Sequence, residues 1–354
     1  MSHVPRAASV PDAPRVQGTV TVSLTDRVPA PNAHDLLASL VPPPQFAQAR
    51  FATYQPDPAH PSQAAALARV EQVAAEVASA SSRRLFGRRA ARTEGRGLYL
   101  DGGYGVGKTH LLASLAHAVG QERAAYGTFV EYTHLVGALG FAACVEALSG
   151  FAVVGIDEFE LDDPGDTLLM SRLLRELTDR GVRPVATSNT LPEALGAGRF
   201  AAEDFLREIQ ALAGRFDVLR LDGEDYRHRS GLPSGEAAGD DAVRAAVAAM
   251  PGASLDEFDG VLAHLARLHP SRYGALVDGL PLVGLTGAHP VDDDLVGLRL
   301  VVLVDRLYDR DVPVRLGGTA PRDIFSERML SGGYRKKYYR ALSRLGALTT
   351  RPVR

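Results

Sequence analysis

Gly102-Gly103-Tyr104-Gly105-Val106-Gly107-Lys108-Thr109 places glycines, one ammonium and one hydroxyl in a spacing suited to holding phosphate. Glycine lets the backbone curl until several N–H groups point inward at an anion. The ammonium of Lys108 neutralises the β/γ oxygens, and the hydroxyl of Thr109 can ligate Mg²⁺. His110 follows in the first turn of a predicted helix, whose positive end faces the same anion. The chain has 35 glycines but only three lysines, Lys108, Lys336 and Lys337. At those frequencies an accidental match has a chance of roughly 0.003. Arginine is used for nearly every other basic position, and its wide fork does not suit a cramped phosphate cradle. The ligand read from this loop is ATP, with Lys108 as the gripping residue.

A second group completes the chemistry. Val153-Val154-Gly155-Ile156 is an apolar run ending in Asp157-Glu158. A strand there carries Asp157 to its carboxyl edge, where it can hold Mg²⁺. Glu158 is then set to orient and polarise an attacking water. Val185 to Asn189 is a further strand ending in a polar residue. In AAA+ ATPases such a residue, sensor 1, helps place the attacking water; a turn Asn before Pro192 is the plain alternative. The order P-loop, Asp-Glu, strand-end Asn points to AAA+ rather than to a GTPase or kinase, and no guanine-reading motif follows. Catalytic candidates are thus Lys108, Glu158 and Asn189, with Thr109 and Asp157 for the metal. An arginine supplied in trans is expected, with Arg199, Arg207 and Arg215 as candidates.

Alternating elements must position these residues. Gly97–Asp101 reads as a strand, Thr109–Val119 as a helix, Thr128–Tyr132 as a short strand and Phe151–Ile156 as a strand buried on both faces. Thr167–Arg180 reads as a helix with Leu168, Leu169, Leu173, Leu174 and Leu177 on one side. The fold class is α/β, a P-loop (AAA+) three-layer fold with a mostly parallel sheet and a C-terminal α/β plus helical region.

Around this core, residues 1–33 read as a flexible tail. A short helix, His34–Leu40, precedes Pro42-Pro43-Pro44, and Ser62 is the expected N-cap of an Ala-rich helix to about Ala80. Arg83, Arg84, Arg88, Arg89 and Arg92 mark a basic linker over 83–96, read as a solvated loop, with an acidic partner or phosphate as the alternative. The nucleotide-binding core spans 34–229 and a Gly/Ser/Pro-rich linker 230–241. In 242–354, Ser254 and Glu257 are expected to form a capping box for a helix to Leu268. Then come a strand Leu282–Thr286, a helix Asp292–Tyr308, a strand Val312–Leu316 and a helix Gly333–Leu345. The segment Leu177-Thr178-Asp179-Arg180-Gly181-Val182 is echoed by Leu307-Tyr308-Asp309-Arg310-Asp311-Val312, read as two similar helix-to-strand turns.

The formal charge of −3 gives no reason to expect nucleic acid as a partner. One cysteine, Cys144, excludes a disulfide framework and fits a reduced compartment. No apolar run approaches the length of a membrane span, and a cytoplasmic protein is expected.

From about Pro42 to Leu348 the chain resembles the ZapE cell-division ATPases, bacterial relatives of the mitochondrial AFG-type AAA+ proteins. The resemblance rests on Phe51…Tyr54-Gln55-Pro56-Asp57-Pro58…Ser62-Gln63, on Gly97 through Thr109, on Asp157-Glu158-Phe159 and on Val185 through Asn189. It continues in Phe205 through Ile209, in Asp225-Tyr226-Arg227, in Leu303 through Asp309 and in Tyr339 through Leu345. It implies a Mg²⁺-dependent homo-oligomeric ATPase that remodels a protein partner, with the ring-forming FtsZ as the candidate. Because the mitochondrial members handle membrane proteins, it also implies peripheral membrane association. Arg344 matches the family's C-terminal arginine, a sensor 2 on the nucleotide. The chain departs from the family where Asp204 replaces an arginine before Phe205 and Arg207 replaces a proline.

A replication initiator or helicase loader, using ATP as a DNA-binding switch, shares Gly107-Lys108-Thr109-His110-Leu111-Leu112. Such a protein should end in a basic helix-turn-helix. Here Arg335, Lys336, Lys337, Arg340 and Arg344 fall in one helix. A nucleotide-binding scaffold with little turnover is the third reading.

Overall fold

A computed structural model describes residues 22–29, 33–85, 96–103, 105–160, 164–191, 210–211, 213–223 and 237–353. The chain runs through α1 (Ala33–Ala38), two short 3-10 turns (Pro44–Phe46 and Phe51–Thr53) and the long helix α2 (Pro61–Leu85). Then β1 (Gly97–Gly102), α3 (Lys108–Val119), β2 (Ala124–Thr128), α4 (Phe129–Leu139), α5 (Phe141–Leu148), β3 (Val153–Asp157), α6 (Pro164–Asp179), β4 (Arg183–Ser188) and β5 (Phe216–Leu221) build the first lobe. Its five strands are ordered β2-β3-β4-β1-β5, and every neighbouring pair is parallel. Parallel neighbours need crossover connections, so helices cover both faces.

Successive strand residues therefore feed two cores. Leu98, Leu100, Val153 and Val185 join Val70 and Val73 of α2 and Leu111, Leu112 and Leu115 of α3. Tyr99, Val154, Ile156 and Ala186 join Tyr132 and Leu135 of α4, Cys144 of α5, and Leu173, Leu174 and Leu177 of α6. Each of those three leucines is fully buried, worth roughly 1.5–3 kcal/mol apiece. Leu168, expected on the same stripe, is 45% exposed.

The second lobe holds α7 (Asp240–Ala248), β6 (Ser254–Glu257), α8 (Phe258–Arg267), α9 (Tyr273–Val277), β7 (Val283–Ala288), α10 (Asp294–Asp309), β8 (Val314–Gly318), α11 (Glu327–Ser331) and α12 (Arg335–Thr350). Its three strands are parallel in the order β6-β7-β8.

Several sequence expectations are corrected. Thr128–Tyr132 is not a strand. The strand is Ala124–Thr128, and Thr128 then caps α4, its side chain accepting from Glu131 N–H while Glu131 accepts from Thr128 N–H. Ser254 and Glu257 form no capping box, because both lie in β6 and α8 starts only at Phe258. Ser62 does not cap α2, which opens on Pro61; its hydroxyl accepts from Asp222 N–H at 2.9 Å, tying α2 to the end of β5. Helix α2 also runs through Arg83 and Arg84, the first residues of the expected linker.

The expected tail is docked over 22–29. Val22 pairs with Ser254, and Leu24 is fully buried in the second lobe's core. Ser23 Oγ and Leu24 N–H donate to Asp256. A lone leucine set among polar residues gave no periodicity by which this could be read. Ala238, within the expected 230–241 linker, likewise pairs with Gly317 beside β8. The echoed segments are one backbone device used twice. Gly181 and Asp311 have φ of 85° and 60°, and Val182 N–H and Val312 N–H each reach back 3.0 Å to Leu177 O and Leu307 O. That is a left-handed helix C-terminus.

Candidate active site

The carboxyl ends of β1, β3 and β4 meet where ligands bind in open parallel sheets. Gly107 has φ of 90°, a left-handed conformation that lets the loop turn directly into α3. A Cβ there would lie 2.4 Å from the Tyr54 ring, so the position also needs glycine for space. Tyr54 OH donates to Val106 O at 2.9 Å, and burial pushes its phenol up to about 12. Around it, Gln63 accepts from Asp57 N–H and donates to Asp222 O, and Thr53 Oγ1 lies 3.0 Å from His110 Nε2. The Pro-punctuated segment before α2 thus clamps the phosphate loop from outside.

Lys108 is buried, and its ammonium donates to Gly102 O at 2.8 Å, Gly103 O at 2.5 Å and Asn189 Oδ1 at 2.9 Å. Asn189, one residue past β4, is thereby brought to the loop. Thr109 Oγ1 donates to Asp157 Oδ1 at 3.2 Å, and Tyr126 OH donates to Asp157 Oδ2 at 2.7 Å. Thr187 links the whole edge. Its hydroxyl donates to Asp157 and accepts from Glu158 N–H at 3.1 Å, and its carbonyl accepts from Phe159 N–H at 2.7 Å. A hydroxyl and a carboxylate in contact form a hard oxygen pair of the kind Mg²⁺ takes.

Glu158 adopts φ of 54°, unusual for a residue with a Cβ and a form of strain found at functional sites. Its side chain, 31% exposed, meets the second lobe: Oε1 is 3.1 Å from Arg340 NH1 and 3.7 Å from Arg344 NH2. Burial in this cleft pushes its carboxyl up to about 7, against the pull of the Arg340 charge, with Asp305 adding to the rise. Burial would also raise Asp305, but Arg340 and Arg344 outweigh it and hold that carboxyl below the usual range. Arg340 NH2 lies 2.6 Å from Asp305 Oδ2, and Arg344 pairs with Asp305 Oδ1. Arg344 lines the same cleft as Lys108, Thr109 and Asn189.

Further ion pairs close the two lobes together. Lys337 lies 3.0 Å from Glu160, and Arg306 donates to Thr128 Oγ1 at 3.0 Å and pairs with Glu131 at 3.5 Å. Lys337, Arg340 and Arg344 are therefore turned inward onto carboxylates, not outward as a groove-reading surface.

A family model described as AFG1-like ATPase matches residues 31–250 and 231–353. The chain belongs to the AFG1-like ATPase family. Among curated proteins it is 32% identical over 160 residues to the cell division protein ZapE of Escherichia coli K12, covering 42% of this chain and 43% of that protein. An uncharacterized protein of Schizosaccharomyces pombe is 32% identical over 149 residues, covering 37% and 33%. The chain thus spans less than half the length of these relatives. Among solved structures, a DnaI matches at TM-score 0.39 and 17% identity over 51% of this chain and 94% of that one. Domain III of Thermotoga maritima DnaA matches at TM-score 0.35 and 22% identity over 52% and 70%.

This AFG1-like ATPase brings Gly102, Gly103, Gly105, Val106, Gly107, Lys108, Thr109, His110, Asp157, Glu158, Asn189 and Arg344 to one end of the first lobe. Tyr104 lies outside the described residues, as do Arg199 and Arg207. Arg215 precedes β5 and its carbonyl accepts from Gly97 N–H, so its backbone sits at the amino end of the strands, opposite the end that carries its own phosphate loop. Sequence reasoning missed three contributors. Tyr126 was hidden by the misplaced strand. Thr187 and Arg340 had been seen only as parts of a strand and a basic helix.

Proposed function

We propose that the chain hydrolyses ATP with Mg²⁺ and uses the cycle to remodel a protein partner in the bacterial cytoplasm, acting as a homo-oligomer in cell division. The observation that carries this is the convergence of Lys108, Thr109, Asp157, Glu158 and Asn189, with Arg344 brought in from the second lobe. Lys108 would exchange its contacts with Gly102 O, Gly103 O and Asn189 for the β/γ oxygens. Thr109 and Asp157 would hold the metal, which supplies positive charge to those oxygens. Thr187 and Tyr126 keep the Asp157 carboxylate oriented. Glu158 takes the proton of the attacking water, and Asn189 helps orient that water. Support for the division setting is the 32% identity to ZapE of E. coli, and FtsZ is the partner to try first. Among the described residues no helix is long and apolar enough to cross a membrane; the membrane association proposed for the chain is peripheral.

The test uses two variants. Lys108→Ala should lose ATP binding in a direct titration, and normal affinity would remove the site. Glu158→Gln should bind ATP without turning it over; near-wild-type turnover would remove Glu158 as the proton acceptor. Mass photometry of that variant with ATP, alone and with FtsZ, should reveal the oligomer and a retained partner. A monomer unchanged by either addition would count against the assembly and the partner.

A further inference from the structure

Arg344 was expected to read the nucleotide, yet Arg340 makes the closer contact with the proposed catalytic carboxylate. Arg340 is only 7% exposed, one helical turn before Arg344 on α12. One amino group lies 3.1 Å from Glu158 Oε1 and the other 2.6 Å from Asp305 Oδ2 of α10. The guanidinium therefore bridges a carboxylate of the first lobe and a carboxylate of the second.

Two geometric consequences follow. A carboxylate oxygen engaged by a charge-assisted contact is occupied toward water. The same guanidinium lines the cleft that also contains Lys108, Thr109 and Asn189, the residues proposed above to meet the phosphates and the attacking water. A terminal phosphoryl group is multiply charged and can present two oxygens to the planar fork of an arginine, a bidentate match. A diphosphate lacks that group, so the competition exists for ATP and not for ADP.

We propose that Arg340 is a positioning residue that holds Glu158 away from the attacking water until the terminal phosphate of ATP takes over its guanidinium, with Asp305 as the fixed counter-charge. The exchange frees Glu158 and loosens one contact between the lobes in a single event. The second lobe thereby senses the terminal phosphate and licenses hydrolysis through one side chain. This rests on the reading of Glu158 as catalytic.

A double-mutant cycle on nucleotide affinity tests it, using a non-hydrolysable ATP analogue and ADP in parallel. Glu158→Gln removes the charge that competes for Arg340. It should therefore tighten the analogue by about threefold to fivefold, the range for a partly exposed ion pair, and leave ADP unchanged. In the Glu158→Gln/Arg340→Gln double variant that gain should vanish. Arg340→Lys, which keeps the charge but not the fork, should retain part of it if the Gln variant folds poorly; unchanged ADP affinity certifies the fold of each. No gain, an equal gain for ADP, or a gain that survives the loss of Arg340 would overturn the proposal. Turnover of the single Glu158→Gln variant separates the two levels. Near-wild-type turnover sinks the catalytic reading itself, whereas a dead enzyme with an additive cycle sinks only the role of Arg340.

Discussion

Thr187 shows how much of the site is carried by a residue with no assigned chemistry of its own. Its hydroxyl donates to Asp157 and accepts from Glu158 N–H, so one side chain sets the spacing of the two groups proposed to hold the metal and to accept the proton. Valine has the same shape without the hydroxyl. Thr187→Val should lower kcat by about tenfold or more, as losses of partners that orient metal ligands do. The fold should lose about 1–3 kcal/mol, because two hydrogen bonds go and the Glu158 N–H is left without its acceptor. Steady-state hydrolysis and a urea melt check both halves, and an unchanged kcat would mean that Tyr126 and Thr109 hold Asp157 unaided. At this scale sequence was most informative where local pattern equals chemistry. Lys108, Thr109, Asp157 and Glu158 sit in short motifs whose backbone context is itself legible. Arg340 was not legible, because its meaning lies in two carboxylates far away in the chain.

The elements show why some boundaries were misread. β2, Ala124-Ala125-Tyr126-Gly127-Thr128, holds two alanines and a glycine, which strands disfavour. The β-branched and aromatic run that follows it is α4, fixed as helix by the Thr128–Glu131 cap. β5 sits at the sheet edge, and Asp217 and Arg220 break its apolar run, so its Phe216 and Leu221 made too faint a signal. By contrast β3, central and buried on both faces, was plain as an apolar run. A feature with its own pH signature lies where α4 faces the turn before α9. His134 and His269 stack with ring centroids 5.0 Å apart, beside Arg272. Burial lowers both, helped for His134 by His269 and Arg272, and for His269 by Arg272. Each histidine thus binds a proton more readily when unfolded, so stability is full above the ordinary pKa near 6.5 and falls as pH drops through it. The melting temperature should fall between pH 7 and pH 5, and His134→Gln should flatten that slope. An equal slope in the variant would assign the acid sensitivity elsewhere.

At the scale of the whole molecule, the described residues join the two lobes through the ion pairs around Glu158 and Arg306, through the His134–His269 stack and through the segment 22–29. That segment docks on the second lobe, while α1 and the turns after it pack on the first. Leu24→Ala should therefore destabilise the second lobe by roughly 2–5 kcal/mol, the cost of emptying a filled apolar site. Chemical denaturation should show that loss, and a shift under 1 kcal/mol would mean the segment merely rests on the surface. The fold class was readable because strand–helix alternation is written along the chain. The fit between lobes was not, since it depends on which charged faces meet after folding.

Cys144 offers a consequence of another kind. It is the chain's single thiol, fully buried on α5 where that helix packs against α4 and α6, and burial pushes it up to about 12. At neutral pH almost none of it is the reactive thiolate. The natural protein is therefore already a silent background for alkylating dyes. A cysteine introduced on each lobe would take up label alone, and the distance between lobes could be followed through the nucleotide cycle without first removing anything.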